Sequence, residues 1–207
     1  MMLPYSERRG YGGRVGRLEG KVAVVTGAGR GIGRSRAVRF AREGAAVVVN
    51  DLDLEPANEA AAEVEAIGER GVVSTDDTTE LGAARALVAR MVEEFGTLDI
   101  LANNAGTTRD RTFHNLDDEL WGLVLDTNVR TAFDATLAAV GHTRESAKRE
   151  TAERGTPRHH RGPSPREFGR FHINVNAVAP GFIETRLTAP KGRGRRSGRR
   201  RRSVRWR

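Results

Sequence analysis

The 207-residue chain has no cysteine. That excludes disulfides, thiolate metal ligands and a cysteine nucleophile. It has two tyrosines, Tyr5 and Tyr11, and three lysines, Lys21, Lys148 and Lys191. Any chemistry that needs a Tyr–Lys pair therefore has few places to sit. Apolar runs stop well short of the roughly 20 residues that span a bilayer, and the Arg-rich start (Arg8, Arg9, Arg14, Arg17) lacks the apolar stretch of a secretory signal. Cytoplasm is the expected compartment. The net charge of +8 would point to nucleic acid if it were spread over a folded surface. It is not. Residues 191–207 carry Lys191 and nine arginines with no acid, while the rest holds 25 basic and 27 acidic groups. Nonspecific nucleic-acid attraction through that tail is the most that the charge implies.

From Lys21 to about Val140, short β-branched runs alternate with helical stretches, the signature of a parallel sheet with crossover helices. The predicted strands are Val22–Thr26, Ala45–Asn50, Gly71–Thr75 and Leu98–Ala102. Helices are expected over Ile32–Glu43, Glu55–Glu69 and Leu81–Phe95. Asp117–Val140 reads as a long amphipathic helix, with Leu120, Leu123, Val124, Phe133 and Leu137 near helical spacing. The expected fold class is α/β, a Rossmann-type doubly wound parallel sheet in three layers, incomplete at its C-terminal half. Expected boundaries are a flexible arm over 1–17, a dinucleotide-binding domain over 18–188 with an irregular polar segment at 141–170, and a disordered Arg-rich tail over 189–207. Within 141–170 lie eight Lys/Arg, four Glu and three His, and the preceding helix could extend as far as Arg154. His172–Ala179 resumes strand-like alternation and could fill the slot of a fifth strand.

Thr26-Gly27-Ala28-Gly29-Arg30-Gly31-Ile32-Gly33 lies between a predicted strand and a predicted helix. Gly27 permits a tight exit from the strand, Gly31 lets backbone approach a pyrophosphate, and Gly33 lets the helix pack closely on the sheet. Asp51, 18 residues after Gly33, ends the second strand, where a carboxylate accepts hydrogen bonds from a ribose hydroxyl. It would repel a 2′-phosphate and so favours NAD over NADP. Arg30 pulls the other way, because a cation in the turn could hold that phosphate. Asp53 is expected to face solvent.

The spacing of those glycines, Asn103-Asn104-Ala105-Gly106 after the fourth strand, Asn128 in Asp126-Thr127-Asn128-Val129, and Pro180-Gly181-Phe182-Ile183-Glu184-Thr185 occur in one order. Together they resemble the short-chain dehydrogenase/reductase family, in the flavour of 3-oxoacyl-carrier-protein reductases and 3-hydroxyacyl dehydrogenases. The resemblance covers about 18–140 and 169–188. It implies hydride transfer between a nicotinamide cofactor and a small carbonyl or alcohol. It also implies that Gly27, Arg30, Gly31, Ile32 and Gly33 shape the cofactor turn and that Asp76 bonds the adenine edge, with Asp77 beside it. Asn103, Ala105 and Gly106 would line the cofactor, and Ile183 and Thr185 would meet its nicotinamide end. Asn128 fills the family's helix asparagine, a member of the catalytic tetrad. No metal is implied.

The rest of that tetrad, a serine and Tyr-x-x-x-Lys, is not found. Four residues after Tyr5 and Tyr11 stand Arg9 and Val15, and four before Lys148 stands Arg144, which cannot act as a general acid at neutral pH. His114, His142, His159 and His160 are the remaining candidates for an acid, and lone loop histidines are mostly solvated. About one helix and one strand of the family pattern are missing, so a truncated or frame-shifted product is expected. The alternative to a working oxidoreductase is a dinucleotide-binding remnant. Relatives form homo-oligomers through the long helix and the missing one, which leaves that association doubtful for this chain.

Overall fold

A computed structural model describes residues 16–109, 111–154, 175–178, 183, 185, 187 and 188, with backbone alone for 113 and 143–154. Four strands, β1 (Val22–Thr26), β2 (Ala46–Asn50), β3 (Gly71–Ser74) and β4 (Ile100–Ala102), form one parallel sheet in the order β3-β2-β1-β4. The helices between them are α1 (Gly31–Arg42), α2 (Leu54–Ala66) and α3 (Leu81–Phe95). Beyond β4 come α4 (Asp118–Leu125) and α5 (Thr131–Arg154), joined by a π-helical turn over Asp126–Arg130.

Every residue of β1 and β2 is buried, as strands covered on both faces require. The side-chain alternation then divides the core. Val25, Val47 and Val49 pack on α1 and α2 through Ala37, Ala41, Ala57, Ala60 and Val64. Val24 and Val48 face the opposite way, onto Leu87, Val88 and Met91 of α3 and Ala138 and Ala139 of α5. Two helix layers thus enclose the sheet, and the expected three-layer Rossmann fold is present. On the first face, Arg34 of α1 donates to Glu59 and Glu63 of α2 at 2.8 Å each, which raises its guanidinium pKa. At the N-terminal edge of the sheet, Lys21 pairs with Asp99 at 2.9 Å.

Several boundaries differ from the sequence reading for local reasons. The second helix ends at Ala66, before a glycine with φ of 100° (Gly68) that breaks the helical path. Gly16 and Arg17, assigned to the arm, belong to the domain: Leu18 N–H donates to the Glu43 carbonyl at 2.8 Å and Arg17 N–H to its carboxylate at 3.3 Å. Within the polar segment 141–170, the helix runs on to Arg154, the extension the sequence allowed, so 141–154 is not irregular. Residues 175–178 form no strand, and Val175 and Val178 stand in solvent, so no burial rewards pairing there. The remainder of 172–179, most of 1–17, and 155–170 and 189–207 lie outside the described residues.

The long helix differs most. Asp117 caps α4 as its residue type suggests, accepting from Leu120 N–H at 2.7 Å. Yet α4 buries no residue, and Trp121, Leu123, Leu125, Val129, Phe133 and Leu137 are all exposed. The buried positions are instead Thr131, Asp134, Ala135, Ala138 and Ala139, of which Ala138 and Ala139 join the core against α3 and the sheet. Small residues let α5 approach α3 and β4 closely, so the alanines are chosen over the larger side chains.

Candidate functional site

The cleft lies where the winding reverses, between β1 and β4, at the carboxyl ends of the strands. That is where open α/β sheets take their ligands. It encloses 680 Å³ and is lined by the glycine turn, the end of β2, the loop after β3, Asn104–Gly106, and Thr185 and Leu187.

The floor of the cleft is a junction of two strand ends. Thr26 is fully buried, and its Oγ1 accepts the backbone N–H of both Asn104 and Ala105 at 3.0 Å. Asn104 Nδ2 returns bonds to the carbonyls of Thr26 and Gly27, each at 3.1 Å. Gly27 has φ of 61°, and a Cβ there would come within 2.8 Å of Ala105 Cα. A Cβ on Gly33 would meet the Gly27 carbonyl at 2.2 Å and Asn104 Nδ2 at 2.6 Å. Both positions therefore require glycine, the first also because its backbone is left-handed. Gly31, with φ of 56°, opens α1 toward the cleft. The N-cap of α1 makes no side-chain bond and its first turn holds no acid, so its leading N–H groups are left for an anion.

Asp51 closes the end of β2. Its Oδ2 accepts Gly29 N–H at 2.9 Å and its Oδ1 accepts Asp53 N–H at 3.1 Å, which fixes the carboxylate beside the glycine turn. Arg30 does not stand free there. Its guanidinium pairs with Asp53, and that hydrogen bond, followed by the charges of Asp53, Asp51 and Glu59, raises its pKa further. Asp53 thus has a partner rather than only solvent.

Asp76 accepts from Ser74 Oγ at 2.7 Å and pairs with Arg90 of α3. Asp77 receives Thr79 N–H at 2.9 Å and Thr79 Oγ1 at 2.7 Å, a turn-capping role, while still lining the cleft. Asn128 sits in the π-helical turn. Its Oδ1 accepts Thr107 N–H at 3.2 Å and its Nδ2 donates to the carbonyls of Thr107 and Val124 at 2.8 Å each. It fastens the loop after β4 to the helix.

Of the residues singled out from the sequence, the structure gathers Gly27, Arg30, Gly31, Ile32, Asp51, Asp76, Asp77, Ala105, Gly106 and Thr185 around one cleft. Gly33 lies beneath it, as a packing position. Asn103 is not brought to the cleft: its amide donates to Thr136 Oγ1 at 2.9 Å and the Ala132 carbonyl at 3.4 Å, because the chain at that point turns its side chain toward α5. Ile183 also lies off the lining and is exposed, its carbonyl accepting from Thr188 Oγ1 at 2.6 Å. Sequence reasoning missed Leu52, Thr78 and Arg109, which line the cleft. Leu52 could have been found, since an apolar residue just past a strand end that faces a nucleotide site offers a surface to a base. His114 is exposed on a 3₁₀ turn. Among the described residues no cluster suits a metal ion, and no helix is long and apolar enough to cross a membrane.

Comparison with known proteins agrees with this geometry. Residues 21–149 match the short chain dehydrogenase family, and the chain belongs to it, a family of oxidoreductases. The 3-oxoacyl-[acyl-carrier-protein] reductase of Thermotoga maritima is 31% identical over 196 residues, a match spanning 83% of this chain and 78% of that one. A short chain dehydrogenase from Burkholderia cenocepacia, solved in complex with NADP, superposes with a TM-score of 0.58 at 40% identity, over 60% of this chain and 51% of that one. Carveol dehydrogenase from Mycobacterium avium, in complex with NAD, gives 0.60 at 34% identity, over 64% and 52%. The fold therefore spans about half the length of those solved relatives.

Proposed function

We propose that the chain binds NAD in this cleft and serves as a cytoplasmic oxidoreductase acting on small carbonyl or alcohol substrates of the 3-oxoacyl/3-hydroxyacyl kind. The observation that carries the cofactor assignment is the Asp51 carboxylate, held by two backbone N–H groups beside the glycine turn. Placed there it accepts from ribose hydroxyls and repels a 2′-phosphate. The cation that would have favoured NADP, Arg30, is already matched by Asp53. The uncapped start of α1 suits the pyrophosphate. Leu52 offers an apolar surface to the adenine, and Thr185 and Leu187 close the other end.

A bound nicotinamide supplies or takes the hydride. The chain's own task is to hold the substrate and to handle a proton at its oxygen. Lys21 is spent at the far edge of the sheet on Asp99. The only tyrosines, Tyr5 and Tyr11, precede the first strand. Neither stands four residues before a lysine, so the sequence supplies no Tyr-x-x-x-Lys pair and the proton comes from solvent. A positioned general acid contributes roughly 10²–10⁴-fold, so acetoacetyl-thioester reduction should run slower than in a relative with Tyr-x-x-x-Lys by about that factor. The missing pair also favours a second reading, a binding-only descendant.

Titration of the purified chain with NADH, followed by fluorescence, and a thioester reduction assay address both. We expect saturable NADH binding with slow turnover. Binding with no turnover at all would select the second reading, full family rates would refute the solvent-proton inference, and failure to bind would refute the cofactor assignment.

A further inference from the structure

We propose that Arg90 is a positioning residue for the adenine end of the cleft: it aligns the Asp76 carboxylate as an acceptor for a 6-amino purine. The proposal rests on the nucleotide reading above and adds to it a residue outside the cleft lining.

The bonds around Asp76 run in one direction. Asn50 Nδ2 donates to Ser74 Oγ at 3.1 Å and to the Asp76 carbonyl at 2.9 Å. Asp76 N–H donates to the same Ser74 Oγ at 3.2 Å, and Ser74 Oγ in turn donates to Asp76 Oδ2 at 2.7 Å. Asn50 and Ser74 are buried at the ends of neighbouring strands, so this inner part is rigid. Donors that feed one another in such a chain strengthen the bond to the last acceptor, here that of Ser74 Oγ–H to Asp76 Oδ2. A carboxylate held through one oxygen can still turn about its terminal torsion, which has broad wells. Arg90, reaching over from α3, supplies the second hold, and it grips the same Oδ2. Oδ1 takes no donor from the described residues.

The two hydrogens of a purine 6-amino group suit such an oxygen, whereas a 6-oxo purine would place an acceptor against it. Charge points the same way. Among the described residues the cleft is lined by Asp51, Asp53, Asp76, Asp77 and Asp126 against Arg30 and Arg109. An anionic dinucleotide entering it meets an acidic wall, and Arg90 offsets one of those charges from behind. The pair is half-exposed, so its loss should barely move folding stability.

The test compares the full chain with Arg90→Met and Arg90→Lys, titrated by fluorescence with NADH and with reduced nicotinamide hypoxanthine dinucleotide, each with its melting temperature. The unaltered chain should prefer the adenine form by about tenfold. Arg90→Met should weaken NADH about fivefold to tenfold and leave the hypoxanthine form within about twofold. Arg90→Lys should recover most of the loss, and melting temperatures should stay within about 3 °C. Equal weakening toward both dinucleotides, or no change toward NADH, would overturn the role of Arg90. An unaltered chain that binds both forms equally would overturn Asp76 as the base-reading acceptor. A chain that binds neither would overturn the nucleotide reading itself, and this proposal with it.

Discussion

The two sides of β1 are built on different terms. On one, β2 and β3 with α1 and α2 form a closed unit: all of β2 is buried, and the helices meet it through alanine and valine. On the other, β4 is three residues long, its pairing stops at β1 among the described residues, and α4 carries an apolar surface with nothing buried. Phe133 is 64% exposed and Trp121 57%, while Ala135 in the same helical stretch is 3% exposed. The first side combines core and cofactor turn in the same residues. The second presents large apolar groups to solvent and keeps its anchor small. Most of the stability should therefore reside on the first side, the nucleotide should be shared between the ends of β1, β2, β3 and β4, and the exposed apolar face of the second side should tolerate change.

The largest expected contrast is between Val64→Ala and Phe133→Ser. Val64 of α2 is fully buried against the sheet, and its truncation should cost about 2.5 kcal/mol in urea unfolding. Phe133 lies on the open face, and its replacement should change stability by less than about 0.5 kcal/mol. A large loss from Phe133→Ser would erase the contrast. Next in size, Gly33→Ala should cost about 2 kcal/mol, because the new methyl meets backbone at Gly27 and Ala28 that cannot yield. The same substitution should loosen NADH binding in parallel, since it displaces α1 from the turn; unchanged affinity would separate packing from binding on this side. The smallest effect is one of selectivity. Asp51→Asn removes a charge but keeps a side chain able to accept from Gly29. NADPH affinity relative to NADH should rise about tenfold, read by paired titrations, with stability nearly constant.

The first side was also the more legible in sequence. Runs such as Val22–Thr26 and Val47–Asn50 leave little freedom, because β-branched residues with no polar partner demand cover on both faces. The glycine turn was legible for the same kind of reason: Gly27 and Gly33 face backbone too close for any side chain. What could not be read was direction. Nothing in Asn103-Asn104 tells which amide turns to the strand junction and which to α5, since that depends on how the loop leaves β4. The pairing of Arg30 with Asp53 joins side chains 23 residues apart and follows from the parallel pairing of β1 with β2, which sets the loops after the two strands side by side. The helix after β4 misled most, because periodicity marks a face without saying which neighbour will reward it. Ala138 and Ala139 prevailed over Phe133 and Leu137 because only small side chains let α5 seat against α3.

The π-helical turn at Asp126–Arg130 acts as a phase adjuster. One residue beyond the regular repeat rotates everything after it by about 100° relative to α4. That rotation allows Asn128 to reach Thr107 while the alanine stripe of α5 arrives on the sheet. A regular helix of the same composition would have to give up one or the other. The site's fastening and the domain's packing are thus kept in register by a single inserted residue, and the helix carries an irregularity so that its two halves can serve different neighbours.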